Sequence, residues 1–137
     1  MAIRTCHACH YYEPRDADGD ASSGVLCCCG HGRTQKPSST HDCQRHISWL
    51  VIAQEVIHRE IQTLHRELLD PRHGYRSVFG GLNRKGRNLS AGVSELEMLL
   101  EKSQAIPLTT SKPRQLMGAI THPASVYVEV LRDTLAR

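Results

Sequence analysis

Residues 47–71 read ISWLVIAQEVIHREIQTLHRELLDP, and the fold class turns on the periodicity of this run. Apolar side chains at Ile47, Leu50, Ile57, Ile61, Leu64 and Leu68 follow steps of 3, 7, 4, 3 and 4, with Gln54 inside the long step. Steps of three and four bring side chains back to one face of an α-helix, so the run carries a heptad-type stripe. Glu55 and Arg59, four residues apart, suit a solvated outer face. Gln54 at a seam position reads as a register device or as a position near solvent. Asp70-Pro71 stops the pattern, because proline cannot continue the hydrogen-bond ladder. The spacing predicts one long helix over about residues 45–69, with Thr40 or Asp42 as its cap.

Beyond that helix, residues 72–88 read as a loop broken by Gly74, Gly80, Gly81 and Gly86. Leu89, Val93, Leu96 and Leu100 repeat a 4-3-4 spacing and predict a second helix over about residues 90–105. Ser94 and Glu97 offer a capping box, and Pro107 ends the segment. Pro113 suits the first position of a short helix through Ile120. Pro123 suits the start of a last helix to about Leu135. Val126, Val128 and Val130 alternate like a strand there, whereas Tyr127, Val130, Leu131 and Leu135 give the helical pattern. The expected fold is mainly α: a long helix plus two or three shorter ones, behind a small Cys-rich N-terminal module of short β-hairpin or loops. The division falls at 1–46 for the Cys-rich module and 47–137 for the helical domain.

The totals narrow the class. One Trp, one Phe and four Tyr among 137 residues leave the core to Leu, Ile and Val. The formal charge of +3 is too mild to imply nucleic acid by itself. The N-terminus shows no apolar signal region, and the longest apolar run, 49–53, is far too short for a bilayer. The chain therefore reads as cytoplasmic, with no membrane partner.

All six cysteines lie in the first 46 residues, as Cys6-x-x-Cys9, Cys27-Cys28-Cys29 and Cys43. In a reducing compartment such a cluster points to a metal rather than to disulfides. Zinc takes four tetrahedral ligands, and a Cys-x-x-Cys turn supplies two thiolates on one side of a tight loop. Cys43, at the mouth of the long helix, is the natural third, because the helix dipole favours a thiolate there. Cys29 precedes Gly30 and is the preferred fourth, with Cys27 and His46 as alternates. The expected set is Cys6, Cys9, Cys29 and Cys43 around Zn2+. A 4Fe-4S cluster is the rival, since four thiolates do not separate the two by ligand type.

The pattern Cys6-x-x-Cys9-x-Tyr11-Tyr12-Glu13-Pro14, then Gly24-x-x-Cys27, then Pro37-x-x-Thr40-His41-x-Cys43 resembles small bacterial and phage proteins usually taken as zinc-ribbon-like. It covers residues 6–46 alone and implies a structural metal without an activity. The ligand order is also similar to that of high-potential iron–sulfur proteins, which implies a redox role. Those proteins are exported and place their cluster late in a chain without a long helix.

Outside the cysteines, the richest stretch is 72–88. Arg72, Arg76, Arg84, Lys85 and Arg87 occur with no acid between Asp70 and Glu95, interleaved with Tyr75 and Phe79. Guanidinium groups beside rings suit phosphate contact and base stacking, or an acidic protein surface; the plain alternative is a solvated basic loop. His58 and His65, seven apart on the long helix, read as polar-face residues rather than ligands. Lys112 and Arg114 beside Pro113 read as an ordinary charged helix entrance. No catalytic constellation is present: there is no Gly-x-Ser-x-Gly, phosphate-cradling glycine loop or His-Glu-x-x-His. The function expected is a non-enzymatic zinc-binding adaptor that contacts nucleic acid or a nucleoprotein complex through the basic loop. A protein-interaction or inhibitor module of phage accessory type, dimerising through the heptad seam as a homodimer, is the alternative. An iron–sulfur redox protein is the third reading.

Overall fold

The computed structural model describes residues 6–12, 26–28, 33–35 and 46–137, with side chains over 7–12 and 46–137. The heptad-bearing run forms helix α1, Trp49–Leu69, about 31 Å long at 1.5 Å per residue. It begins later than its periodicity suggested because Ser48 caps it. The Leu50 amide donates to Ser48 Oγ at 3.2 Å, satisfying one of the orphan amides of a first turn. At the other end the Asp70 amide donates to the carbonyls of Arg66 and Glu67. Pro71 then opens a single 3-10 turn, Pro71–His73. Trp49, Leu50, Ala53, Ile57, Ile61 and Leu68 are buried along one side.

Helix α2 spans Arg84–Ser103 and α3 spans Ala124–Ala136. The three pack pairwise, so the apolar stripe of α1 is covered within this chain by α2 and α3. Each fully buried Leu or Ile on that stripe contributes about 1.5–3 kcal/mol. Gln54 does not face open solvent. Its Nε2 donates to Ser103 Oγ at 3.1 Å, and that hydroxyl, wholly buried, donates onward to the Leu100 carbonyl. A polar pair of this kind fixes the lengthwise register of α1 on α2.

The start of α2 corrects the sequence reading, which left residues 84–88 in a loop. Asn83 is the cap: its Oδ1 accepts from the Gly86 amide at 2.8 Å, and its Nδ2 donates to the Gly74 carbonyl at 2.6 Å. Ser94 and Glu97, expected as a capping box, lie inside the helix instead. Gly86 is buried where the chain crosses itself, and a Cβ there would collide with the Tyr75 carbonyl oxygen. The predicted helix over 113–120 is one 3-10 turn, Arg114–Leu116. Gly118 follows at φ 95°, a left-handed conformation that ends helical winding. In α3 the helical period prevails over the valine alternation, with Tyr127, Val130 and Leu131 buried together.

The N-terminal segment docks at the entrance of α1. Cys6–Ala8 form a 3-10 turn, Cys9 bridges to Ser48, and the His10 amide donates to the Ile47 carbonyl at 2.6 Å. On its other side lies residue 112. The Lys112 amide donates to the His7 carbonyl, and Lys112 Nζ donates to the carbonyls of His10 at 2.7 Å and Tyr12 at 3.0 Å. Ala8, Cys9 and Tyr12 are buried in this joint, together with Trp49, whose Nε1 donates to the Thr110 carbonyl at 2.8 Å. Lys112 is itself only 7% exposed. It is a beam of the fold and not the charged helix entrance expected.

Two short strands, β1 (Leu26–Cys28) and β2 (Arg33–Gln35), pair antiparallel with Cys27 opposite Thr34. Thr40 and Asp42, the expected caps, lie outside the described residues. Among the described residues no helix is long and apolar enough to cross a membrane.

Candidate functional site

The basic stretch is built as a short platform on the junction between α1 and α2. After the turn at 71–73, Gly74 adopts φ 73° and redirects the chain. Arg76 and Leu82 then pair as an antiparallel bridge, closing a tip of five residues, 77–81. Inside the tip the Ser77 amide donates to the Gly81 carbonyl at 2.7 Å, and the Gly80 amide donates to the Ser77 carbonyl at 3.1 Å. Gly80 sits at φ 87°, which side chains rarely adopt. At the crown, Val78 and Phe79 are each 98% exposed.

The five basic residues predicted to act together are divided by the structure into two kinds. Arg72 is held by Asp70: its Nε reaches both carboxylate oxygens and its Nη2 donates to Oδ2 at 2.9 Å. The carboxyl of Asp70 is correspondingly held below its ordinary range, chiefly by the side-chain and backbone hydrogen bonds from Arg72. Arg76 braces the platform, with Nε donating to the Leu68 carbonyl at 3.3 Å and Nη1 to the Gly80 carbonyl at 2.8 Å. Arg87 donates from Nη1 to the Leu82 carbonyl at 3.2 Å. These three guanidinium groups shape the platform. Arg84 and Lys85 are exposed, and among the described residues no carboxylate or carbonyl engages their side chains.

Arg84 and Lys85 also occupy the first turn of α2, where no acidic residue is present. Cations at a helix N-terminus oppose the macrodipole, at about 0.3–1 kcal/mol each. The two cations and the dipole together make the start of α2 electropositive, and an incoming anion relieves their repulsion. Reading 72–88 as a loop missed this. The usable signal was Asn83 three residues before Gly86, an N-cap pattern.

Of the predicted metal ligands, Cys9 is the only one whose side chain is described, apart from the alternate His46. Cys9 is fully buried and His46 half-buried. The side chains of Cys6, Cys27, Cys29 and Cys43 lie outside the described residues, so the expected tetrahedral set falls there too. Among the described residues no three His, Cys, Asp or Glu side chains converge as a metal site. Beside Cys9, the ring of His10 is held below its ordinary value, first by burial and then by the positive charges of Lys112 and His122. The histidines on α1 have ordinary partners: His58 meets Gln62 at 3.3 Å, and His65 meets Glu97 of α2 at 3.1 Å.

Comparison of the chain with family models, curated proteins and solved structures finds no match.

Proposed function

We propose that this protein is a non-enzymatic adaptor that contacts nucleic acid, or a nucleoprotein complex, through the platform at 72–88. In this reading the N-terminal cysteines Cys6, Cys9, Cys29 and Cys43 hold a structural Zn2+, an assignment resting on their number and spacing. The observation that carries the proposal is the exposure of Arg84 and Lys85 at the electropositive start of α2, where among the described residues no carboxylate engages their side chains. Phosphates would supply the charge that this turn lacks.

The test is fluorescence anisotropy with labelled oligonucleotides over a salt series. Affinity is expected to fall with salt, and Arg84→Ala with Lys85→Ala should flatten the log–log slope by about 1.4–1.8, at 0.7–0.9 per phosphate contact. Absence of binding at low salt, or a slope that the double variant leaves unchanged, would overturn the proposal. Elemental analysis of the same preparation reads zinc against iron.

A further inference from the structure

We infer that the ligand of this platform is single-stranded nucleic acid and that Phe79 stacks on one of its bases, an inference that rests on the nucleic-acid reading above. Folding gains nothing from Phe79, which is 98% exposed at the crown of a tip whose other members are Ser77, Val78, Gly80 and Gly81. The tip is nevertheless tightly made. Two backbone hydrogen bonds close it, and the Arg76 guanidinium ties its Gly80 carbonyl back to the platform. The backbone bearing the ring is thus ordered before any ligand arrives, which lowers the entropic cost of contact.

The residues after the ring are the two smallest available. A Cβ added to Gly80 or to Gly81 would meet nothing within 4 Å, so the space beside the ring is open. An aromatic side chain on an ordered pedestal, with room for a flat partner, suits base stacking. The same tip leads through Leu82 and Asn83 directly into Arg84 and Lys85. Even fully stretched, the five steps from residue 79 to residue 84 span at most roughly 18 Å, about three to five nucleotides of backbone. One ring and two cations over that length match consecutive nucleotides of one strand. In a duplex the base faces are already stacked on one another, whereas a single strand offers them. An anionic membrane surface fits less well, because within the tip 77–81 only Val78 and Phe79 add apolar area and the two glycines add none.

The experiment compares a labelled oligothymidylate, a duplex of mixed sequence and vesicles of phosphatidylserine with phosphatidylcholine, using the full chain. Phe79→Ala and Phe79→Leu should each weaken single-strand binding about tenfold or more, with the salt slope unchanged. Phe79→Trp should bind as the parent does, and its emission should be quenched on binding. The duplex should bind more weakly than the single strand and be insensitive to all three substitutions. The exposure of Phe79 makes misfolding of these variants a minor concern, and circular dichroism checks it. The inference is overturned if Phe79→Leu binds the single strand as tightly as the parent, or if the duplex binds equally well. Vesicle binding that depends on Phe79, with no such dependence for the oligonucleotide, overturns it in favour of a membrane. Loss of slope in the Arg84/Lys85 double variant alongside indifference to Phe79 would remove stacking alone. Absence of any nucleic-acid binding would remove the function reading with it.

Discussion

Substituting Lys112 by Met tests whether the N-terminal segment is part of the same folded unit as the helices. Lys112 Nζ donates to the carbonyls of His10 and Tyr12, at 2.7 and 3.0 Å, across about a hundred residues of sequence. Methionine keeps much of the apolar stem but cannot donate, so two buried carbonyls lose that donor. Each unpaired buried acceptor costs about 1–3 kcal/mol. Removing a cation from a site that is 7% exposed returns part of this, because its desolvation is no longer required. The net destabilisation should be about 2–4 kcal/mol by urea unfolding, and amide exchange over residues 7–12 should accelerate. Lys102→Met, on the exposed side of α2, serves as the control and should stay within about 0.5 kcal/mol of the parent. If Lys112→Met also stays within about 0.5 kcal/mol, with exchange at 7–12 unchanged, the joint is not held as described.

Two glycines of α2 should respond to alanine with opposite sign. Gly86→Ala should destabilise by about 1–3 kcal/mol, because the new methyl collides with the Tyr75 carbonyl. Gly92→Ala, with open space around it, should stabilise by about 0.5–1 kcal/mol; equal effects in thermal melts would refute the crossing at Tyr75. The Asp70–Arg72 link should show in pH dependence. Because the folded carboxyl titrates below its ordinary 3.8, its contribution is complete above that value and disappears as pH falls through the lower folded one. An NMR titration of Asp70 with a midpoint at or above 3.8 would contradict this, and Arg72→Ala should raise the midpoint only part of the way, because the residue-72 amide still donates to Asp70 Oδ1.

The helices were legible in the sequence to different degrees, for physical reasons. The stripe from Leu50 to Leu68 named α1 correctly because every step of three or four must be buried somewhere. The beginning of α2 was obscured by the features that make the platform unusual. Three basic residues and Gly86 in its first turn look like loop composition, and only Asn83 signals a cap. Val126, Val128 and Val130 fit two periods equally, and the contact of Tyr127, Val130 and Leu131 with the core decides for the helix. Lys112 carried no local sign at all. Its burial depends on carbonyls of His10 and Tyr12, a relation between distant residues that periodicity does not encode. At the basic stretch the residue types were evident, but their division into braces and available cations required the hydrogen bonds.

The burial of Trp49 has a practical consequence. It is the sole tryptophan, wholly enclosed where the segment 6–12, the α1 entrance and the Thr110 carbonyl meet. Tryptophan emission from the native protein, excited selectively beyond the tyrosine band, therefore comes from one enclosed, hydrogen-bonded indole at that junction. A red shift in it reports that water has entered the seam between the cysteine-bearing segment and the helices. The chain thus carries its own optical gauge of whether its N-terminal end is seated.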